Sequence, residues 1–240
     1  MAKNLIELLW WERAGTARTG RRGPRARWST PQVVAEAMRI ADAHGLDAVT
    51  IRALAHELEI TPMSVYTHVN SRDDLLVLMA DRAHAEVAGI PVDEDDWRMG
   101  LRAVAEANLA LLHAHPWLLE IDDQRTALGP GTIAKYDGEL RAFDATGLSD
   151  VDRDAALTFV LDFVRAAAGR MIAASGPAEF GAFWEQAADT LADLVGDDYP
   201  LARRVGAAAG EQLGAPYDAK AAWEFGLARV LSGLESVVTA

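Results

Sequence analysis

Between Ile60 and Leu75 the sequence reads ITPMSVYTHVNSRDDL, a stretch of hydroxyls, one tyrosine and one histidine with no acid before Asp73. If a helix starts at Thr61-Pro62, Val65 and Val69 lie four apart and point inward with Leu58 and Ile60. Thr61, Met63, Ser64, Thr67 and His68 then face outward. Small hydroxyls let a helix sink into a major groove roughly 12 Å wide, where they exchange hydrogen bonds with base edges. Tyr66 and His68 reach phosphates. Arg72 adds a cation at the start of the next helix, where backbone N–H groups also favour anions. A helix this short is costly alone and must be held by its neighbours.

The flanking sequence supplies those neighbours. Thr30-Pro31 opens a helix through Val33, Val34, Ala37, Ile40 and Ala41 that stops at Gly45. A second helix follows Thr50, with Ile51, Leu54, Ala55 and Leu58 inward. The short third helix starts at Thr61-Pro62, and Ser71 caps a fourth, with Asp74 placed as the acid of a capping box. Two short helices braced by a preceding one are the layout of a helix-turn-helix. Residues 5–12 read as a short amphipathic helix whose Trp10 and Trp11 dock on the body of the protein. The Gly/Pro/acid stretch GIPVDEDD separates this unit from a string of longer helices, over 95–114, 117–123, 131–146, 150–174, 177–195, 199–213 and 216–238. The expected organisation is all-α: an extension with an Arg-rich arm over 1–28, a three-helix helix-turn-helix DNA-binding domain over 29–90, and a larger helical domain over 91–240 for ligand binding and dimerisation.

The net charge of −13 is unevenly spread. Residues 1–80 hold ten Lys/Arg and nine Asp/Glu, while the other 160 hold 13 and 27. Arg13, Arg18, Arg21, Arg22, Arg25 and Arg27 follow one another with no acid after Glu12, so one end can approach a polyanion while the rest stays acidic. Such an arm reads equally as a solvated tail. No apolar run approaches the roughly 18 residues of a membrane span, and no signal peptide is read. The absence of cysteine fits a cytoplasmic protein. The sequence holds no G-x-S-x-G, Walker loop, dinucleotide fingerprint or H-E-x-x-H, and no enzyme is read from it. His113 and His115, two apart on a helix, point away from each other and do not share a metal.

Residues 49–79, VTIRALAHELEITPMSVYTHVNSRDDLLVLM, resemble the DNA-binding core of the tetracycline-repressor family of bacterial transcriptional regulators. The resemblance rests on Thr50, Arg52, the run Ser64-Val65-Tyr66-Thr67-His68-Val69, Arg72 and Leu75-Leu76. It implies that Thr50, Tyr66, His68 and Arg72 hold phosphates. Arg52, Pro62, Met63, Ser64 and Thr67 would lie nearest base edges, with Arg52 as the guanine reader. One position departs from the pattern: the turn residue commonly glycine is Glu59, where a positive φ is strained by the Cβ, and the turn is expected to adapt.

The later part is similar to the C-terminal domain of the same family through NLALLHAHPWLLEI and TALGPGTIAKYDGELRAF. Members are two-fold dimers whose larger domain binds a small molecule. The residues agree: Trp223, Leu227, Val230, Leu234 and Val237 recur along the last helix, and helix 150–174 is apolar on two faces. Such faces need burial, either between two subunits as a four-helix interface or inside a larger monomeric core. On helix 95–114, Asn108 interrupts an apolar stripe and needs a partner, either a ligand or a neighbouring helix. Asn108, His115, Trp117, Phe159, Phe163 and Trp184 are the candidate pocket residues. Members that hold a metal–drug chelate use a histidine where Ile121 stands here, so no metal or cofactor is implied. The effector class suggested by family habit is an antibiotic or related secondary metabolite.

These readings converge on a ligand-responsive regulator, most simply a repressor released from a palindromic operator of double-stranded DNA. The alternatives are an activator, or a ligand-binding or interaction protein with weakened DNA affinity, suggested by the acidic balance and Glu59.

Overall fold

Each helix of the N-terminal unit opens at a side chain that takes an otherwise orphaned N–H. Asn4 accepts from Ile6 N at the start of α1 (Leu5–Leu9). For α2 (Thr30–His44), Gln32 reaches back to Ser29 N at 2.9 Å, closing a capping box ahead of Pro31. Thr50 accepts from Ala53 N for α3 (Ile51–Glu57), Thr61 from Ser64 N for α4 (Pro62–Val65), and Ser71 from Asp74 N for α5 (Arg72–Ala85). The capping box expected at Ser71 is half made. The Asp74 carboxylate turns instead to Asn70 Nδ2 and Arg125 Nη1, both at 2.9 Å, because Arg125 offers it a charge.

The structure is a computed structural model and describes residues 4–11, 27–93, 95–174, 187, 190, 191, 193–195, 198–213 and 218–238. Beyond α5 come α6 (Trp97–Ala114), α7 (Pro130–Leu140), α8 (Asp150–Ala174), α9 (Pro200–Leu213) and α10 (Ala219–Val238). No strand occurs among the described residues, and none of their helices is long and apolar enough to cross a membrane. The helix expected over 117–123 is a single 3-10 turn, Pro116–Glu120, and a second such turn covers Gln124–Leu128. Helix 131–146 shortens to α7, with a 3-10 turn at Arg141–Phe143. Helix 177–195 lies largely outside the described residues, as do most of the arm and Trp184.

One continuous core results, with a centre in each part. Val33, Leu54, Leu58, Val65, Leu75 and Met79 are buried around α2–α5; Leu101, Val104, Trp117, Phe143, Leu157 and Leu227 are buried around α6–α10. The centres are joined where α5 lies along α7. That approach is close enough that a Cβ on Gly131 would overlap the Asp81 carbonyl. Asp81 Oδ1 accepts from Thr132 N at 2.8 Å, so a residue of α5 caps the start of α7. Burial raises the Asp81 pKa, against the lowering effect of the bonds from Thr132. The N-terminal α1 packs on α5, and Trp10 Nε1 donates to Leu128 O at 2.9 Å, so Trp10 docks as its amphipathic setting predicts. Trp11 stays 41% exposed.

Candidate functional site

The outer face of α4 is built by what is buried beneath it. Val65 and Val69 are almost fully enclosed, with Leu58 below them. That leaves Thr61, Pro62, Met63, Tyr66 and Thr67 exposed, and Ser64 and His68 half-buried. Four of these polar side chains are braced from within. Thr61 Oγ1 meets Ser64 Oγ at 2.9 Å, Thr67 Oγ1 donates to Ser64 O at 2.7 Å, and His68 Nδ1 lies 3.4 Å from Thr30 Oγ1. Arg52 projects from α3, exposed, and no described residue pairs with its guanidinium. Thr50 is exposed beside it and spends its hydroxyl as the α3 cap.

Arg72 stands differently. Its Nε donates to Val49 O at 2.8 Å and its Nη2 to Leu46 O at 2.9 Å. The guanidinium expected at a phosphate thus ties α5 to the loop between α2 and α3.

The turn between α3 and α4 keeps its left-handed residue despite the missing glycine. Glu59 has φ +53°, and Ile60 N reaches Ala55 O while Glu59 N reaches His56 O, the paired bonds of a Schellman ending. The turn therefore does not adapt to its Cβ; it holds a conformation that costs a non-glycine residue roughly 1–2 kcal/mol. The carboxylate pairs with Arg27 Nη2 at 2.9 Å, and Trp28 Nε1 donates to Leu58 O at 3.0 Å beside it. The last arginine of the arm thereby neutralises the acid nearest α4.

A half-open cavity of about 330 Å³ lies between α5, α6, α7 and α8. Leu111, Leu112, Leu118, Ile121, Leu161 and Val164 form its apolar wall. Its polar wall is a buried chain: Asn108 Nδ2 donates to Val104 O at 2.9 Å and to Glu139 Oε1 at 2.5 Å, and Lys135 Nζ donates to Glu139 Oε2 at 2.8 Å. Asn108 therefore has the neighbouring-helix partner that its place in the stripe required, while still lining the cavity. His84, from the last turn of α5, also lines it and meets Thr132 Oγ1 at 2.9 Å. Burial, with Lys135 and Arg165 adding to it, pushes the His84 pKa down to about 4, so the ring is neutral near pH 7. Arg165 reaches back to the carbonyls of Leu118 and Leu119.

Residues 90–238 match the tetracyclin repressor-like C-terminal domain, and residues 33–79 match the bacterial regulatory proteins of the tetR family. The chain belongs to the tetR family. It is 32% identical to the HTH-type transcriptional repressor DrrR1 of Streptomyces coeruleorubidus, over 97% of this chain and 85% of that one. The solved structure of the tetR-family protein ActR of Streptomyces coelicolor in complex with actinorhodin superposes with a TM-score of 0.74 at 27% identity, covering 90% of this chain and 100% of that chain. ActR in complex with (S)-DNPA gives 0.72 at 26%, covering 88% and 98%. This tetR-family chain is a ligand-responsive, DNA-binding transcriptional regulator.

Within that frame, Asn108 is the one described member of the expected pocket set that reaches the cavity. His115 and Trp117 stand instead at the junction with α2, because Asp42 draws both rings toward it. Phe159 is 53% exposed on the outer face of α8. Phe163 stacks on Trp223 of α10, with centroids 5.4 Å apart. Trp184 lies outside the described residues. The sequence reading missed His84, Thr132, Lys135 and Glu139. The i,i+4 spacing of Lys135 and Glu139 is a legible signal for a pair. Their burial is not legible, since it depends on where α6 lies.

Proposed function

We propose that the protein is a repressor that binds a near-palindromic operator as a homodimer and leaves it when a bulky, partly apolar secondary metabolite or antibiotic fills the cavity. The observation that carries this reading is that one helix, α5, bears on both sites: it follows α4 directly, and it lends Ala80 and His84 to the cavity wall. The complexes of ActR with actinorhodin and with (S)-DNPA support a small-molecule effector. Phe159 on α8 and Phe225 on α10, 53% and 70% exposed, support pairing of those helices with a second subunit. In this reading Arg52, Pro62, Met63, Ser64 and Thr67 lie at base edges, with Thr61 beside them. Thr50, Tyr66 and His68 lie at phosphates, and Arg72 positions the loop that Thr50 closes. The unit ending near residue 90 reads DNA, the rest binds ligand and partner, and the protein works in the cytoplasm without catalysis.

Fluorescence-anisotropy titration against DNA from upstream of its own gene, with scrambled DNA as control, tests the reading. Saturable binding that prefers the upstream DNA and weakens steeply with salt supports it, since phosphate neutralisation releases counterions. Failure on that DNA and on a broad operator search would leave a ligand-binding protein whose helix-turn-helix no longer reads DNA.

A further inference from the structure

Between two stretches of cavity wall, the chain turns toward the helix-turn-helix unit at His115 and Trp117. His115 closes α6, its backbone N–H still bonded to Leu111 O. Its side chain is 10% exposed, and both ring nitrogens face carboxylates: Nδ1 is 2.7 Å from Asp42 Oδ1, and Nε2 is 3.1 Å from Glu86 Oε2. Asp42 belongs to α2 and Glu86 follows α5, so both acids come from the unit that carries α4. Trp117 Nε1 donates to the same Asp42 oxygen at 2.6 Å, and its ring is tilted against the imidazole at 5.4 Å. Carboxylates accept, and a neutral imidazole has a single N–H. Only the imidazolium can donate to both acids at once.

The segment holding this cluster is also cavity wall. Leu111 and Leu112 line the cavity just before His115; Leu118 and Ile121 line it just after Trp117. A molecule that displaces either pair of wall residues moves the backbone between them, and with it the two rings that grip Asp42.

We propose that His115, held as an imidazolium between Asp42 and Glu86, is the positioning residue through which occupancy of the cavity sets the placement of the DNA-reading helices, so that the coupling requires a proton. This rests on the regulatory reading above and names its route. The charged groups that meet the ring are Asp42 from α2 and Glu86 from the turn after α5; its own segment contributes Trp117, which is uncharged. Burial opposes the charge on His115, but the hydrogen bonds and charges of Asp42 and Glu86 outweigh it and raise the pKa above the ordinary 6.5. A histidine whose pKa rises on folding contributes its full stabilisation below the ordinary value and loses it as pH climbs through the raised one.

Nitrogen-15 NMR of the six imidazoles in the full-length chain, followed from about pH 5 to 10, reads the proton directly. The cysteine-free sequence also lets a fluorophore pair be attached through D47C and A145C, at exposed positions on either side of the junction, to report the distance between the two parts. The expected result is that His115 carries both ring protons at neutral pH and titrates above the ordinary value of 6.5. D42N and E86Q each lower that midpoint. The distance distribution broadens on the same pH profile, and it is already broad at every pH in H115Q. A neutral His115 at pH 7, or a distance unchanged across its titration, overturns the proposal. Neither readout needs DNA. Loss of operator binding with these results intact refutes the repressor reading alone; operator binding with a flat distance profile refutes the latch alone.

Discussion

The two sites treat their polar side chains in opposite ways. Asn108 lies within α6 and His115 is the C-cap that ends it. Both are consumed by the protein itself, Asn108 by Val104 and Glu139, His115 by Asp42 and Glu86. On α4 the polar groups are braced from behind while their outer surface stays open, and Arg52 beside them has no described partner. A surface that reads a large external partner keeps its donors outward. A wall that must hold its shape around a cavity satisfies its own donors first.

The contrast is broken most severely at Glu139, which is 3% exposed and holds both Lys135 and Asn108. E139A strands a buried ammonium and half-empties the amide's bonding, so a loss of about 3–5 kcal/mol in urea unfolding is expected. The double variant K135M/E139L removes both charges and should unfold close to wild type or above it. A loss below about 1 kcal/mol in E139A would mean that the cluster is wetter than its geometry states.

Two arginines sharpen the comparison at the DNA end. R72A removes donors from the Leu46 and Val49 carbonyls and should cost about 1.5–3 kcal/mol of stability. R52A should leave the unfolding curve unmoved and weaken operator binding by about 1–3 kcal/mol, relaxing preference at one base pair. Exchanged results, with R52A unstable and R72A merely weak on DNA, would reverse the roles given to them.

Arg72 also shows where sequence reasoning stops. The helix-turn-helix was legible because its signals are local: the hydroxyl caps at Thr50, Thr61 and Ser71, Pro62 in a first turn, and Val65 and Val69 four apart. The cavity wall was not, because Lys135, Glu139, His84 and Asn108 come from three helices whose packing no local spacing encodes. His115 and Trp117 read as pocket residues in the sequence, yet both bond Asp42, which lies more than 70 residues earlier, on a helix that reads as an ordinary brace. Asp74 shows the reverse case, a good local signal overridden when Arg125 arrives from elsewhere.

A smaller effect separates the buried cluster from the half-open one. Asp42 and Glu86 are 36% and 50% exposed, so water can stand in for His115 when it is lost. H115Q should cost about 1 kcal/mol below pH 6.5, with the deficit closing as pH rises through the raised pKa. E139A should show no such closing near neutral pH. Parallel pH–stability curves for wild type and H115Q would remove the distinction between the clusters.

The smallest effect is expected at Glu59, where the open site carries its own strain. The φ of +53° costs a residue with a Cβ roughly 1–2 kcal/mol, while glycine there loses about 0.5–1 kcal/mol more chain entropy on folding. The ion pair with Arg27 is exposed on both sides, 63% and 75%, and contributes little. E59G should therefore be more stable by about 0.5–1 kcal/mol and should bind operator more tightly, since a carboxylate has left the phosphate side. R27A tests the remaining possibility in the same background. If R27A and E59G both destabilise, the arginine of the arm is holding the turn in its left-handed form. If E59G alone stabilises, the strain is uncompensated, and this chain keeps it next to the helix on which its recognition depends.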